Sequence, residues 1–506
     1  MFATTRRAVS FQCKKFNSYT SLSALSKLKT SPNVCSLRSV SSYCNTNAST
    51  FNRFPTSLAK TQVRLGSNFS SAPKDTNFKD LGVKPILCQS LKQKFGILTP
   101  TPVQKVLTPA ILKGQDILLR DQTGSGKTFG TILSLLSLPY INSSRSTNAV
   151  RCMVVVPSIE LANQIALWAR SLVPSDIFPN MDPLLQVLVT EKSQLKNQLS
   201  KLKTTIPQIV VGTPGRLVEL VESGAIDVTK LNMLVLDEAD HMLRLPKRYA
   251  SNREVYIREK HPKPAEILTD LIFDMNKGTR EQKIQFIASS ATINRPLRHF
   301  LLTKKWIGDA VFIDATKGTS PPSEIEHHCL LVNPELIRNI EVIPDPKITN
   351  TRYEEAIEKV EPFPDNDDIM LESVSAACQV ENVQSAVIFV RSGTSISDFI
   401  LRLEEYGISA MELSQRFLKS KPDEWNVYVA TEHIARGIDI PNLTHVFIVG
   451  LPSSPTSYLH MAGRSGRMGK PGKVITLIGD YGKMEEKARS MYQLLGIRVK
   501  PFVHVQ

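Results

Sequence analysis

The sequence lacks any apolar run long enough to cross a lipid bilayer. A membrane-spanning helix needs about 18 or more mostly apolar residues, whereas the apolar runs here are strand-sized and interrupted by charged residues. The chain is 42% hydrophobic and 22% charged, which is ordinary for a soluble globular protein. We therefore expect no membrane insertion.

Cysteines are few. The 506 residues include seven cysteines, and no two of them have the short spacing of a zinc site. Neither length nor composition indicates a disulfide-stapled secreted domain. We expect free thiols in a reducing compartment, and the length alone predicts two to four domains.

Acidic residues are missing from residues 1–74, which hold eleven Lys and Arg and many Ser. Subtracting these eleven from the net charge of +15 leaves only +4 for residues 75–506. A basic, Ser-rich, acid-free N-terminus is typical of an organellar transit peptide. The alternative is a basic tail that stays attached and binds nucleic acid. We expect residues 1–74 to be a disordered leader that directs import into the mitochondrial matrix.

Short β-branched apolar runs alternate with helical stretches from Phe78 onward, a pattern typical of parallel α/β sheets. The runs form two series, at 116–119, 152–156, 208–211, 233–236 and 284–288, and then at 385–390, 427–430, 445–449 and 473–478. The pattern predicts two α/β domains, at 75–315 and 325–506. Turn-forming residues without periodicity predict a linker at 316–324.

A segment at 335–381 holds twelve acidic and four basic residues and several prolines. Such a composition disfavours a packed core. We expect a surface insertion in the second domain.

A glycine-rich segment follows an apolar run and precedes a helix-compatible stretch. It comprises Asp121, Gln122, Thr123, Gly124, Ser125, Gly126, Lys127 and Thr128. Backbone N–H groups of such a loop bind a polyphosphate, and the helix N-terminus adds positive potential. Lys127 can reach the β- and γ-phosphates, and the Thr128 hydroxyl can hold Mg²⁺.

Two carboxylates end another apolar run, about 110 residues downstream. Asp237 stands where such enzymes hold their Mg²⁺, and Glu238 can orient or deprotonate the attacking water. Two acids that merely cap the next helix are the alternative. The glycine-rich loop upstream favours the catalytic interpretation.

The tetrad Asp237-Glu238-Ala239-Asp240, together with the other segments, resembles the DEAD-box family of ATP-dependent RNA helicases over roughly residues 78–480. The resemblance implies two RecA-like parallel-sheet domains, with ATP and Mg²⁺ as cofactors. It also implies that Phe78 stacks on adenine and that Gln104 hydrogen-bonds the edge of the base, since an amide both donates and accepts.

The same resemblance assigns further residues. Those implied to contact the RNA backbone are Pro157, Thr213, Pro214, Gly215, Arg216, Arg391, Thr431, Arg436 and Gly437. Ser290, Ala291 and Thr292 resemble the segment that couples hydrolysis to strand separation. Arg464 and Arg467 resemble arginine fingers on the γ-phosphate, and Asp439 resembles a ligand on the ribose or γ-phosphate side.

Several positions depart from the family pattern. Ile159 stands where the family has Arg, and Met461 and Gly450 together remove an expected arginine–acid link. With these departures, the sequence most resembles the divergent fungal mitochondrial DEAD-box helicases that serve assembly of the large ribosomal subunit. That likeness implies a monomer acting on mitochondrial ribosomal RNA in pre-ribosomal particles. A DNA helicase and a catalytically weak RNA-binding assembly factor on a degenerate core remain alternatives.

Overall fold

The computed structural model describes two α/β sheets with their helices. The described residues are 76–121, 124–141, 149–176, 179–190, 195–246, 250–277, 283–315, 325–341, 367–416, 427–435, 438–440, 442–466 and 471–505, with the backbone of 62–64. The remainder of the predicted leader and the predicted linker at 316–324 lie outside these residues. So do five predicted site residues, which are Gln122, Thr123, Arg436, Gly437 and Arg467.

The first sheet has eight strands, all parallel. They are β1 (Gln62–Arg64), β2 (Ile117–Arg120), β3 (Cys152–Val155), β4 (Leu185–Leu188), β5 (Ile209–Gly212), β6 (Met233–Asp237), β7 (Gln285–Ser290) and β8 (Val311–Asp314). Their order across the sheet is β1-β8-β2-β7-β6-β3-β5-β4. Strand β1 lies within the predicted disordered leader and corrects that prediction, because the edge of β8 offers backbone groups with which it pairs.

Helices cover both faces of this sheet. They are α1 (Pro85–Ser90), α2 (Pro102–Leu112), α3 (Lys127–Ser137), α4 (Ile159–Leu172), α5 (Leu195–Thr204), α6 (Pro214–Glu222), α7 (Ala239–Leu243), α8 (Asn252–Lys260), α9 (Pro264–Met275) and α10 (Arg295–Thr303), with a π-helix at Leu91–Phe95. Alternate side chains of β3 enter opposite cores: Cys152 and Val154 face one apolar cluster, and Met153 and Val155 face the other.

The second sheet has seven strands, parallel except for one antiparallel pair, β9 with β10. They are β9 (Ile325–Val332), β10 (Ile337–Asn339), β11 (Ala386–Val390), β12 (Met411–Glu412), β13 (Val427–Thr431), β14 (His445–Val449) and β15 (Gly472–Gly479), in the order β10-β9-β15-β14-β11-β13-β12. Their helices are α11 (Asp368–Val380), α12 (Ile396–Glu405), α13 (Leu413–Arg416), α14 (Pro455–Ala462) and α15 (Met484–Leu495), with a 3₁₀ helix at Glu432–Ala435.

Both ends of the predicted acidic insertion belong to the packed domain, which corrects its bounds. Strand β10 extends the sheet at one end. At the other end, α11 buries Met370, Leu371 and Val374 against the core. The Asp367 side chain accepts a hydrogen bond from the N–H of Ile369 at the start of α11, so an acidic residue caps a helix here. Residues 342–366 lie outside the described residues.

The described helices include none that is long and apolar enough to span a membrane.

Candidate active site

The chemically active residues lie at the carboxyl edge of the first sheet. The glycine-rich loop follows β2, Asp237 ends β6, Ser290 ends β7 and Pro157 follows β3. In parallel α/β sheets this edge is where ligands bind, because loops from neighbouring strands meet there.

The glycine-rich loop leads into α3, whose first residue is Lys127. The Lys127 side chain is buried, and its Nζ donates to the carbonyl oxygen of Asp121 at 3.0 Å. Asp121 is buried as well, and its N–H donates to the carbonyl of Ser290 at 3.2 Å. The Lys127 ammonium group is thus held inside the loop, where phosphate oxygens would compete with the carbonyl for it.

Thr128 and Asp237, the two predicted Mg²⁺ ligands, are in direct contact. The Thr128 hydroxyl donates to Asp237 Oδ2 at 2.5 Å. The other carboxylate oxygen accepts from Ser289 Oγ at 2.6 Å and from the N–H of Glu238 at 3.2 Å. A hydroxyl and a carboxylate are the hard oxygen donors that Mg²⁺ prefers. Ser289 orients the carboxylate, although the sequence pattern did not single it out.

Glu238 is 4% exposed and occupies a left-handed conformation, with φ of 57°. For a non-glycine residue this conformation costs roughly 1–2 kcal/mol. Such strain is concentrated at functional sites, where the surrounding structure maintains it. Here the residue sits between β6 and α7, next to the Asp237 carboxylate.

Ser290, Ala291 and Thr292 connect the glycine-rich loop to α7. The Ser290 carbonyl accepts from Asp121, and the Ser290 hydroxyl accepts from the N–H of Thr292 at 3.1 Å. The Thr292 hydroxyl donates to Asp240 on α7. A continuous chain of hydrogen bonds therefore runs from the phosphate loop to the last residue of the Asp-Glu-Ala-Asp tetrad. Asp240 was not among the predicted site residues.

Gln104 supports the phosphate loop. Its Nε2 donates to the Gly126 carbonyl at 3.1 Å, and its Oε1 accepts from the N–H of Thr101 at 3.0 Å. A Cβ at Gly126 would lie 2.7 Å from Nε2, and one at Gly130 would lie 2.8 Å from Cγ. Glycine at both positions is therefore what lets the amide approach. Its contact with adenine stays a prediction.

Phe78 does not present an open stacking surface. The ring is 3% exposed and belongs to the apolar core that also contains Val83 and Leu87. An apolar ring gains more from this burial than from a position in water. The ring therefore has a packing role in this structure, and its stacking on adenine stays a prediction.

Four of the predicted RNA contacts in the first domain lie at the carboxyl edge of the sheet. Thr213, Pro214 and Gly215 begin α6, with Gly215 exposed, and Pro157 precedes α4. Ile159, which replaces the arginine of the family, packs partly buried against the core.

The structure does not place Arg216 where it was predicted to contact RNA. Its side chain is 1% exposed. Its Nη1 pairs with Glu219 at 2.7 Å, and its Nε donates to Gln198 Oε1 at 3.3 Å. The guanidinium joins α6 to α5, because a buried charge is stable only with partners.

In the second domain, two predicted RNA contacts lie on neighbouring strands. Arg391 follows β11 directly, and Thr431 ends β13, where it pairs in register with Val390. Both residues are half-buried at the carboxyl edge of this sheet.

Arg464 is bonded within its own domain. It is 2% exposed, and its guanidinium donates to the carbonyls of His460 at 2.8 Å and Ile438 at 2.5 Å. The structure thus departs from the prediction of a finger reaching toward phosphate. Arg464 ties α14 to the segment that carries Asp439.

The missing arginine–acid link is replaced by apolar packing. Met461 is 2% exposed in the core of the second domain. Gly450 adopts φ of 83° at the end of β14, a conformation that disfavours a side chain. A side chain at position 450 would therefore be strained, and position 461 belongs to the apolar core.

Gln164 and Asp439 join the two domains. The Asp439 N–H donates to Gln164 Oε1 at 2.8 Å, and the Gln164 side chain is 3% exposed. Gln164 lies on α4, which follows the predicted RNA contact Pro157, and no role was assigned to it from sequence. Nearby, a cleft of about 310 Å³ lies between the domains, lined by Asp240, His241, Arg244, Thr292, Glu432, Ser453, Ser454, Thr456 and Ser457.

Comparison with known proteins agrees with this geometry. Residues 101–300 match the family described as DEAD/DEAH box helicase, and residues 369–469 match the helicase conserved C-terminal domain. The DEAD-box ATP-dependent RNA helicase RhpA of Helicobacter pylori is 26% identical over 415 residues, which are 79% of this chain and 69% of RhpA.

Solved structures share the fold. Mss116p bound to ssRNA and AMP-PNP has a TM-score of 0.64 at 20% identity, over 87% of this chain and 81% of that one. Dbp5 of S. cerevisiae bound to RNA and ADP BeF3 has a TM-score of 0.60 at 19% identity, over 84% and 95%. At these identities the likeness shows the fold alone.

Taken with the two family matches, the two RecA-like domains and the phosphate loop beside two acidic residues define an ATP-hydrolysing helicase. The two family matches together cover more than half of the chain, and it belongs to the DEAD-box family of ATP-dependent RNA helicases.

Proposed function

We propose that this helicase is an RNA-stimulated ATPase of the mitochondrial matrix, and that it remodels ribosomal RNA during large ribosomal subunit assembly. The observation that carries the catalytic part is the contact between Thr128 and Asp237 beside the buried Glu238. The leader composition supports the location, and the departures from the family pattern support a specialised RNA target.

The residues of the site divide the work of hydrolysis. Lys127 binds the β- and γ-phosphates, and Thr128 and Asp237 would hold Mg²⁺, which neutralises charge on the phosphate oxygens. Glu238 accepts a proton from the attacking water or orients it. Ser289 fixes the Asp237 carboxylate, so the ligand is oriented before nucleotide arrives.

RNA would close the two domains. Gln164 already joins Asp439 across the cleft, and RNA bound along both carboxyl edges would favour the closed state by its greater affinity for it. Contacts to the phosphate backbone carry no sequence information, and contacts to 2′-hydroxyls separate RNA from DNA. Protein partners or the cellular location must therefore determine which RNA is bound.

A second candidate is an RNA-binding assembly factor with weak hydrolysis. It is favoured by Arg464, whose guanidinium is bonded inside the second domain. Steady-state turnover with saturating RNA separates the two. A rate indistinguishable from that of Glu238→Gln would favour the second candidate.

The location is tested by a reporter fused to residues 1–40. We expect the fusion to enter mitochondria. A matched fusion in which Arg6, Arg7, Lys14 and Lys15 are replaced by Gln should stay in the cytosol. A native fusion that remains cytosolic or enters the nucleus contradicts the import proposal and favours a basic nucleic-acid-binding tail.

The RNA target is tested by ultraviolet crosslinking in organelles, followed by sequencing of the bound RNA. Enrichment of large-subunit ribosomal RNA over messenger RNA is the expected result. Crosslinks spread over all transcripts in proportion to abundance would contradict a role in ribosome assembly.

A further inference from the structure

Residues 244–263 carry a concentrated positive charge. This segment, the α8 segment, holds seven Lys and Arg and two Asp or Glu, a net charge of +5. Residues 75–506 as a whole have a net charge of only +4. The segment is therefore a local concentration of positive charge, and its residues 247–249 lie outside the described residues.

Helix α8 within this segment packs almost nothing into the core. None of its residues is buried, and Tyr256 and Ile257 are 60% and 47% exposed. A capping box stabilises the helix locally: the Ser251 N–H donates to the Glu254 carboxylate at 3.0 Å, and the Glu254 N–H donates to Ser251 Oγ at 3.2 Å. One of the two acidic residues of the segment is thus engaged in the cap.

Arg258 fixes α8 against the helix that carries Asp240. Its guanidinium donates to the carbonyl of Leu243 at 2.7 Å and to that of Arg244 at 3.3 Å, both at the end of α7. It also pairs with the buried Glu266 at 2.7 Å. The exposed face of α8 is therefore held in a defined place and does not depend on a partner for its position.

One face of α8 combines two cations with an aromatic ring. Arg253, Tyr256 and Lys260 are spaced i, i+3 and i+7, which places them on the same side of a helix. The Lys260 Nζ lies 5.8 Å from the centre of the Tyr256 ring. Among the described residues, Arg253 and Lys260 form no ion pair with a carboxylate. Both charges are therefore open to an anionic ligand.

We propose that this face is a second RNA-binding surface, outside the channel between the two domains. Arg253 and Lys260 contact phosphates, and Tyr256 stacks on an unpaired base, a combination suited to single strands beside structured RNA. The proposal rests on the proposed RNA function. It adds a binding site for the part of the RNA that extends beyond the strand bound between the two domains. An acidic protein partner is less favoured, because a large exposed aromatic ring beside phosphate-binding cations suits nucleic acid.

The test compares two RNAs with the purified full chain: a short single strand that fills the interdomain channel, and the same strand extended by a hairpin. The variants are Arg253→Glu/Lys260→Glu and Tyr256→Ala. The control is Lys113→Glu/Lys230→Glu, an equal charge change at two exposed lysines that each precede a strand. All four proteins should show the same stimulation of hydrolysis by the short strand, within twofold.

For the extended RNA, the charge variant should bind at least tenfold more weakly than the control, and the slope of log affinity against log salt should fall by about 1.5. Tyr256→Ala should bind the extended RNA more weakly than wild type, by about fivefold or more. Equal binding by the charge variant and its control would overturn the proposal. The proposal would also be overturned if the charge variant no longer bound a protein partner from nuclease-treated extracts while its RNA binding was unchanged. A wild-type protein that no RNA stimulates would instead overturn the proposed function.

Discussion

Buried polar side chains hold the phosphate loop and helices α5 and α6 in place. Arg216 is nearly inaccessible and ties α6 to α5 through Gln198. Gln104 is 4% exposed and holds the Gly126 carbonyl. Both side chains could bind a ligand, but in this structure they form hydrogen bonds within the protein. Substituting either residue therefore changes the local structure first.

Replacing Arg216 by Met should destabilise the first domain and leave RNA binding intact. The change removes a buried cation and leaves Gln198 Oε1 without its donor, which costs about 1–3 kcal/mol. Thermal unfolding should therefore occur at a lower temperature, while the salt dependence of RNA affinity is unchanged. Arg170→Met, at an exposed position on α4, is the control. A flattened salt dependence at unchanged stability would restore the predicted phosphate contact.

Replacing Gln104 by Ala should raise the KM for ATP about fivefold, because the loop loses a buried hydrogen bond worth about 1 kcal/mol. The predicted adenine contact adds a second effect, a smaller preference for ATP over GTP. Gln115→Ala, at an exposed position, is the control. Weakened ATP use with unchanged base preference would limit Gln104 to supporting the loop.

At the scale of helices and strands, polar contacts also position α14. Tyr458 on this helix is fully buried, and its hydroxyl is 2.7 Å from His327 Nδ1 on β9. Burial, with a smaller contribution from the adjacent His328, lowers the pKa of His327 to about 4. His327 is therefore neutral in the folded protein at neutral pH.

A lowered pKa in the folded state makes stability depend on pH. His327 contributes its full stability above its ordinary pKa of 6.5, and this stability is lost as pH falls toward 4. The loss amounts to about 2 kcal/mol by pH 5. We expect amide hydrogen exchange in α14 to accelerate over this range, and His327→Gln to reduce the acceleration. His299→Gln, exposed in the first domain, should not. An unchanged profile in His327→Gln would contradict the account.

Two of the strands that the sequence did not reveal, β4 and β9, carry buried polar residues. All nine predicted strands are present, with ends shifted by at most two residues. Strand β4 was missed because Gln186 interrupts its apolar run, yet that amide is bonded to the carbonyls of Asp182 and Thr205. Strand β9 was missed because Glu326 and two histidines follow its first residue and leave only a short apolar run. Periodicity cannot reveal a polar residue whose partner comes from elsewhere in the fold.

The residues of the candidate site also differ in how far the sequence could predict them. Thr128 and Asp237 were predictable because loop and strand motifs fix their positions. Ser289 and Gln164 were not, because their roles depend on partners that only folding brings near.

At the scale of the whole molecule, the two domains meet at Gln164 and Asp439. Gln164 contributes a buried hydrogen bond to the Asp439 N–H at that junction. Gln164→Leu should weaken RNA binding about fivefold in the presence of a non-hydrolysable ATP analogue, since one such bond contributes about 1 kcal/mol. RNA binding without nucleotide should be unchanged. Gln115→Leu is the control, and equal losses in both nucleotide conditions would contradict a role in closure.

The most direct test of the account is RNA-stimulated ATP hydrolysis by the full chain and by Glu238→Gln, with Glu222→Gln as an exposed control on α6. Wild type and control should be stimulated by RNA to the same extent. Glu238→Gln should bind ATP and RNA but hydrolyse at least 100-fold more slowly, because the water loses its proton acceptor. Hydrolysis by Glu238→Gln within about threefold of wild type would contradict the assignment of the catalytic carboxylate.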